Sequence, residues 1–312
     1  MIGKPRITTA LGAGHRPYPR VAQTRSLVLV ALTFWASVTD GKSATAGFGG
    51  VVSLADGEPF TIVRRDTLMS GSRGVALLAG DIVETGPKAF LVIQGPGGNL
   101  IGIGPATGVY FVERAEVMTV FVLKGWVKAD VKSGPMRLVG TRLGLQSQQA
   151  VTLLYADEQS NAVFAEQGAA TILLPDASGK SVDKDAGPNH FFVREDQQEV
   201  LSRPSPSVEF VEKMPIAFRD PLPQYANPPQ AVTPRVVRAV TYNDIQNWLT
   251  IPREWRGGFI GRFRGRLKDP AFFAAMDAHQ SLFPEWVPIL HPPPPAASAT
   301  QNAEPEQGHE SR

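Results

Sequence analysis

Eight cations cluster between residues 235 and 268: Arg235, Arg238, Arg253, Arg256, Arg262, Arg264, Arg266 and Lys268. Only Asp244 and Glu254 oppose them, leaving a net charge of +6. Guanidinium forks bind carboxylate and phosphate in bidentate fashion. The run could therefore hold an anionic polymer, a lipid headgroup or an acidic protein surface. Arg253, Arg256, Arg262, Arg264, Arg266 and Lys268 form the candidate contact surface. Two quieter readings fit the same residues. The run is a solvated helix face, or its arginines pair with residues 47–200, which hold 13 basic and 17 acidic side chains. Aromatic residues interleave with these arginines, as in nucleic-acid binders. However, Trp255, Phe259 and Phe263 recur every four residues, which predicts one apolar stripe on a single helix.

Other chemistry is sparse. The chain has no cysteine, which excludes disulfides, cysteine-ligated zinc, iron–sulfur clusters and thiol catalysis. Its five histidines (His15, His190, His279, His291 and His309) are too scattered to suggest a metal site. No nucleophile elbow, phosphate loop or zinc-protease motif occurs. Residues 102–108, Gly-Ile-Gly-Pro-Ala-Thr-Gly, miss the dinucleotide fingerprint by one position, and no helix follows to present amides to a phosphate. A turn between strands is expected there. Asp183 with Asp185, and Glu195 with Asp196, are carboxylate pairs read as solvated loop charge, because acid–base work needs burial and unlike environments. The sequence therefore predicts a protein that is not an enzyme and uses no cofactor.

The elements that position these residues begin with an export signal. Residues 1–26 contain Lys4, Arg6, Arg16, Arg20 and Arg25 and no acid. A 12-residue apolar run, Leu27 to Val38, follows, then Ala44-Thr45-Ala46 as a cleavage pattern before Gly47. The run is too short to read as a membrane span, and an uncleaved signal anchor touching the membrane through residues 27–38 is the alternative. Either way the bulk of the chain is expected in the periplasm or otherwise outside the cytoplasm. That location argues against a nucleic-acid partner. Removal of residues 1–46 takes away six basic and one acidic residue, leaving 25 basic and 28 acidic.

Residues 47–200 read as a β domain. Short apolar runs at 90–93, 117–123, 126–131, 150–155, 162–165 and 170–174 alternate with glycine-rich turns. Lys124-Gly125 fits a two-residue hairpin turn, and Gly95 to Asn99 is a second turn. Val120 to Val127 repeats weakly as Val163 to Ala170, at an offset of 43. Residues 201–239 hold eight prolines up to position 234 and read as an extended linker, pinned on the β domain by Phe210, Met214, Phe218 and Leu222. Residues 240–291 read as a small module of about three helices with its own core, one of them capped by Asp269 before Pro270. Residues 292–312 start with four prolines and read as a disordered tail.

The order of motifs between residues 50 and 175 resembles the FecR domain, the extracytoplasmic part of ferric-citrate-type sensor and regulator proteins. The resemblance rests on Gly49-Gly50-Val51-Val52, Arg64-Arg65, Leu77 to Gly86, Ala89 to Ile93, Ile101 to Thr107 and Leu123 to Val127. It implies a glycine-rich β-sandwich or solenoid-like fold with motif positions at Gly80, Asp81, Thr85, Gly86, Gly104, Thr107 and Gly125. Sensors of that family place an anti-sigma segment before a membrane span, and 26 residues before the apolar run leave no room for one. The expected function is an exported FecR-like binding or scaffold protein of the bacterial cell envelope, whose partner is an envelope protein or an anionic envelope polymer. A signal-anchored sensor acting through a protein partner is the second reading. An envelope-polymer hydrolase is a third, and it would need converging carboxylates.

Overall fold

Phe90 to Ile93, Val117 to Leu123 and Ala150 to Tyr155 are mostly apolar on both sides of the pleat rather than alternating. A strand of that kind needs cover on both faces, and this requirement organises the molecule. The computed structural model describes residues 49–293 except 115–116, 176–180 and 197. All of these fall in one compact unit, Ala44–Arg312. The expected export signal, residues 1–46, and the expected tail 292–312 from residue 294 on lie outside the described residues.

The architecture is mainly antiparallel β, arranged as a sandwich. One sheet contains β1 (Gly50–Asp56), β4 (Ala76–Leu77), β6 (Phe90–Gln94), β7 (Leu100–Ile103), β12 (Ala150–Ala156), β13 (Ser160–Gln167), β16 (His190–Glu195) and β17 (Leu201–Arg203). The other contains β2 (Phe60–Arg64), β3 (Thr67–Ser70), β5 (Ile82–Thr85), β8 (Gly108–Arg114), β10 (Met136–Val139), β11 (Gly144–Ser147), β14 (Ala170–Pro175), β15 (Ser181–Ala186) and β18 (Arg235–Ala239). The long β9 (Val117–Val131) belongs to both. The first sheet runs β4–β1–β6–β7–β9–β12–β13–β16–β17. The second runs β18–β3–β2–β5–β8–β9–β10–β11–β14–β15, antiparallel throughout except for β9 beside β10.

The expected hairpin at Lys124-Gly125 is not formed. β9 runs through both residues and crosses from the second sheet to the first. Val120 and Val122 face the sandwich core before the crossing, and Val127, Ala129 and Val131 face it after. That switch from even to odd positions needs one extra residue, because a side chain changes face at every step. The register shift opposite Gly108/Val109 supplies it as a bulge. Gly125 holds φ +89° there, a conformation open to glycine. The weak repeat has the same meaning: Gly168, 43 residues on, holds φ +75° where β13 of the first sheet gives way to β14 of the second. The repeated unit is thus a corner between sheets and not a hairpin.

Three apolar layers result. Between the sheets lie Val52, Leu91, Ile103 and Leu154 from one side and Ile62, Val83, Phe111 and Leu145 from the other, all fully buried. Outside the first sheet, Val92, Leu100, Trp126, Leu153, Phe164 and Phe191 are covered by Phe210, Met214, Phe218 and Leu222. The proline-rich stretch therefore lies on the sheet as a strap. It also contains regular structure that proline density did not suggest: α1 (Val208–Lys213), capped by Ser207, and a short 3-10 turn at Ile216–Phe218. The fully buried Lys128 fastens the strap, donating from Nζ to the carbonyls of Phe218 (2.9 Å) and Asp220 (3.1 Å) and pairing with Glu166 at 2.7 Å.

Outside the second sheet, Val63, Leu68, Ile82 and Phe121 share one cluster with Trp248, Phe259, Phe263, Phe272 and Trp286. The C-terminal helices thus have no separate core; they complete the outer face of the sheet. They are α2 (Tyr242–Leu249), α3 (Arg253–Arg256), α4 (Phe259–Phe263), α5 (Pro270–Ala278) and α6 (Val287–Leu290), more and shorter than the three expected. Asp269 caps α5 as predicted, accepting from the amides of Ala271 and Phe272. The expected single helix bearing Trp255, Phe259 and Phe263 breaks into α3 and α4 at Gly257-Gly258, since paired glycines are poor helix interior.

Candidate functional site

The motif residues that carry the resemblance are structural ties. Arg64 clamps the buried Asp81 with two bonds, Nε to Oδ1 (2.9 Å) and Nη2 to Oδ2 (2.6 Å), and the Leu78 amide adds a third to Oδ2 (2.9 Å). Thr85 Oγ1 donates to the Gly104 carbonyl (2.7 Å) and accepts from the Thr107 amide (2.9 Å). Thr107 Oγ1 accepts in turn from the Trp126 amide (2.9 Å), beside Gly125. The Gly86 carbonyl receives the amides of Ala89 and Ala106. Together these residues tie β5, the turn before β8 and the middle of β9 to one another.

Three of the six cations of the predicted contact surface, Arg256, Arg262 and Arg266, are engaged within the fold. Arg262 reaches down from α4 and donates to the carbonyls of Arg65 (2.5 Å), Gly80 (2.7 Å) and Val63 (2.6 Å). Burial pushes its guanidinium down to about 10, against the opposing influence of Tyr110, Asp81 and Asp66. Arg266 donates to the Val240 carbonyl (2.9 Å) and to Asp269 (2.6 Å). Arg256 pairs with Glu285 at 3.1 Å and donates to the Leu249 carbonyl. Arg253, Arg264 and Lys268 are exposed. Half of the candidate surface is thus engaged in docking and capping the helices.

A concave feature with a mixed apolar and polar lining lies elsewhere, on the outer face of the second sheet beyond the edge of the helices. It is a groove of about 390 Å³, with Arg137, Val139, Gly144, Gln146, Thr171 and Leu173 among its lining residues. The strand register sorts the floor into two rails. Val139, Gly144, Leu173 and Asp183 are cross-strand partners in one row; Arg137, Gln146, Thr171 and Asp185 are partners in the next. Arg137 Nε donates to Gln146 Oε1 at 2.7 Å, fixing the start of the polar rail. Trp255 of α3 closes the end, with Phe121 on one side (centroids 5.3 Å apart) and the Arg114 guanidinium 4.7 Å from its ring centre. Arg114 is held there by a 3.0 Å bond from Nη2 to the Glu254 carbonyl.

Several sequence readings shift here. Asp183 and Asp185, read as loop charge, stand on β15. Trp255, read as helical core, forms the groove wall. Arg114, Arg137, Gln146 and Thr171 were not singled out. Their signal is alternation, because residues 136–139 read buried–half-buried–buried–half-buried, unlike the continuous apolar runs elsewhere. His190 begins β16 as an exposed strand-end residue, and His279 stacks on Tyr242 at 5.1 Å. No helix among the described residues is long and apolar enough to cross a membrane.

No protein-family model matches the sequence, and no curated protein matches it. Among solved structures, similarity is found to two crystal structures of a candidate anti-sigma factor from Parabacteroides distasonis ATCC 8503. Each has a TM-score of 0.35, with 13% and 12% sequence identity, over 40% of this chain. The chain spans 59% of the length of that protein.

Proposed function

We propose that the chain is an exported, non-enzymatic FecR-like binding protein of the bacterial envelope, and that the groove beside Trp255 is its binding site. The observation that carries this reading is the unequal treatment of the outer faces. The strap covers the aromatic face of the first sheet, and the helices cover the apolar half of the second. The half that keeps a row of polar side chains, with Arg137 bonded to Gln146, is left accessible. Such a row suits recognition, because its partners are positioned before a ligand arrives. The sensor reading keeps the same groove but fills it with a protein partner.

Fractionation of a bacterium producing the full chain tests the export half of the proposal. The chain is expected in the periplasm or bound to the envelope, with an N-terminus at or near Gly47. Recovery of the intact chain in the cytosol overturns it. Cross-linking through a photoreactive residue at Gln146 tests the site: adducts with envelope material are expected, and adducts absent at Gln146 but present at Arg264 would move the site to the exposed cations.

A further inference from the structure

We infer that the groove between Trp255 and β15 takes a short stretch of glycan chain with no requirement for net charge. This rests on the proposed binding role and names the ligand class for that site.

The floor has a two-sided character. One rail offers apolar surface, Val139 and Leu173 with Gly144 between them, and Val139 closes over the glycine, its Cγ2 3.3 Å from where a Gly144 Cβ would stand. The adjacent rail offers hydrogen-bonding groups of three kinds, the guanidinium of Arg137, the amide of Gln146 and the hydroxyl of Thr171. A pyranose ring has the matching division: C–H bonds on its faces and hydroxyls around its edge. It can lay a face on the apolar rail while its hydroxyls meet guanidinium, amide and hydroxyl groups able to donate and accept. The mixed pattern crosses three strands, about 10 Å at the usual strand spacing, so about two rings in a row can meet it before Asp183 and Asp185 on β15 end it.

Other occupants fit less well. The lining contains two cations, Arg114 and Arg137, and two acids, Asp183 and Glu254. This balance produces no field to attract a polyanion. An extended peptide docks best on a strand edge, where backbone groups pair with it; the groove lies on a sheet face, whose floor is made of side chains.

The test uses calorimetric titration of the exported chain with chitohexaose, cellohexaose and, as the anionic comparator, hexagalacturonate. At least one neutral hexasaccharide should bind, with an affinity that changes little between low and high salt. Arg137→Ala and Gln146→Ala should each weaken that binding about tenfold, the scale of a lost hydrogen-bond partner in a ligand site. Thr171→Arg, which fills the groove, should abolish it. Thermal melting of each variant separates loss of the site from loss of the fold. Failure of both neutral sugars to bind at millimolar concentration overturns the inference, as does equal binding by all three folded variants. Salt-sensitive binding of hexagalacturonate alone also overturns it. If the chain is exported and envelope-bound yet binds neither neutral sugar, the glycan inference fails and the envelope reading stands. If the chain stays in the cytosol, the envelope reading itself fails.

Discussion

The second sheet is two surfaces in one. Toward β18, the outward side chains of β2, β3, β5 and β8 include Val63, Leu68, Ile82 and Tyr110, and the C-terminal helices sit on them. Toward β15, the outward side chains of β10, β11 and β14 are Arg137, Val139, Gln146, Thr171 and Leu173, and the helices stop at Trp255. β9 is the seam, with Phe121 on the covered side of it. The backbone is alike in both halves; what differs is the face that points away from the core. An apolar outward row has to be covered by the same chain, whereas a row that alternates with polar groups can face water or a ligand. The comparison therefore separates the outward rows that the chain covers itself from those it leaves accessible.

The largest expected effect comes from breaking the covered half. Trp248 is fully buried, meets Tyr110 edge-on at 6.5 Å and donates from Nε1 to Glu84 Oε1 at 2.9 Å. Trp248→Ala should cost about 3–5 kcal/mol, the usual range for a large aromatic removed from a core. Because helices and sheet share one cluster, urea unfolding should remain a single transition with a lower midpoint. Two separate transitions, with the sheet unaffected, would show that the helices fold as an independent body and that the two halves are not coupled in this way.

A second disruption acts at the seam. At Gly125 a Cβ would lie 2.6 Å from the Thr107 Cα and 2.2 Å from its Oγ1, and the residue already holds a left-handed φ. Gly125→Ala should destabilise by about 2 kcal/mol or more, from backbone strain and overlap together. It should also loosen the Thr107–Trp126 tie, read as faster hydrogen exchange at the Trp126 amide. Unchanged exchange and stability would mean that the crossing of β9 does not depend on glycine.

How much of this was legible in the sequence follows from the same contrast. Runs such as Ala150 to Tyr155 gave strands at the right places, because a doubly buried strand has a strong apolar signature. The strap was legible through Phe210, Met214, Phe218 and Leu222 for the same reason. The crossing at Gly125 was not, since a hairpin and a bulged, sheet-switching strand use the same Lys-Gly pair. The candidate site was missed because its residues are ordinary singly: Arg137, Gln146 and Thr171 become a row only through registers joining strands far apart in sequence. The arginines stood out in sequence because they are close together, yet Arg262 is engaged by carbonyls from three different residues of the sheet region.

Acid should sharpen the contrast more gently. Asp244 stands in the first turn of α2, at the edge of the cover, where Arg238 grips it at 2.5 and 2.8 Å and the Thr241 amide donates to it at 2.7 Å. Burial alone would raise its pKa, but these bonds together hold it below the ordinary value of 3.8. A carboxyl lowered by folding stabilises the fold fully above its unfolded pKa and loses that contribution as pH falls through the folded value. The wild type should therefore be more stable than Asp244→Asn at neutral pH, and the two should converge below about pH 4. A constant gap across that range would remove Asp244 from the account of the cover.

The smallest expected effect is the most discriminating for the open half. Thr171 and Gln146 are half-buried, face outward and serve no helix. If their row exists for a ligand and not for the fold, Thr171→Ala and Gln146→Ala should each change stability by no more than about 0.5 kcal/mol, as for surface sites without special partners. The Arg137–Gln146 bond does not alter that expectation, since its loss leaves a guanidinium within reach of water. Chemical denaturation of both variants beside Trp248→Ala places the two halves on one scale. A cost for either near that of Trp248→Ala would make the polar row part of the fold's own packing, and the difference between the halves would then be one of composition without a division of labour. Near-neutral values would show that this row is free of structural duty, the property a recognition surface needs if its side chains are to meet a ligand without disturbing the sandwich beneath.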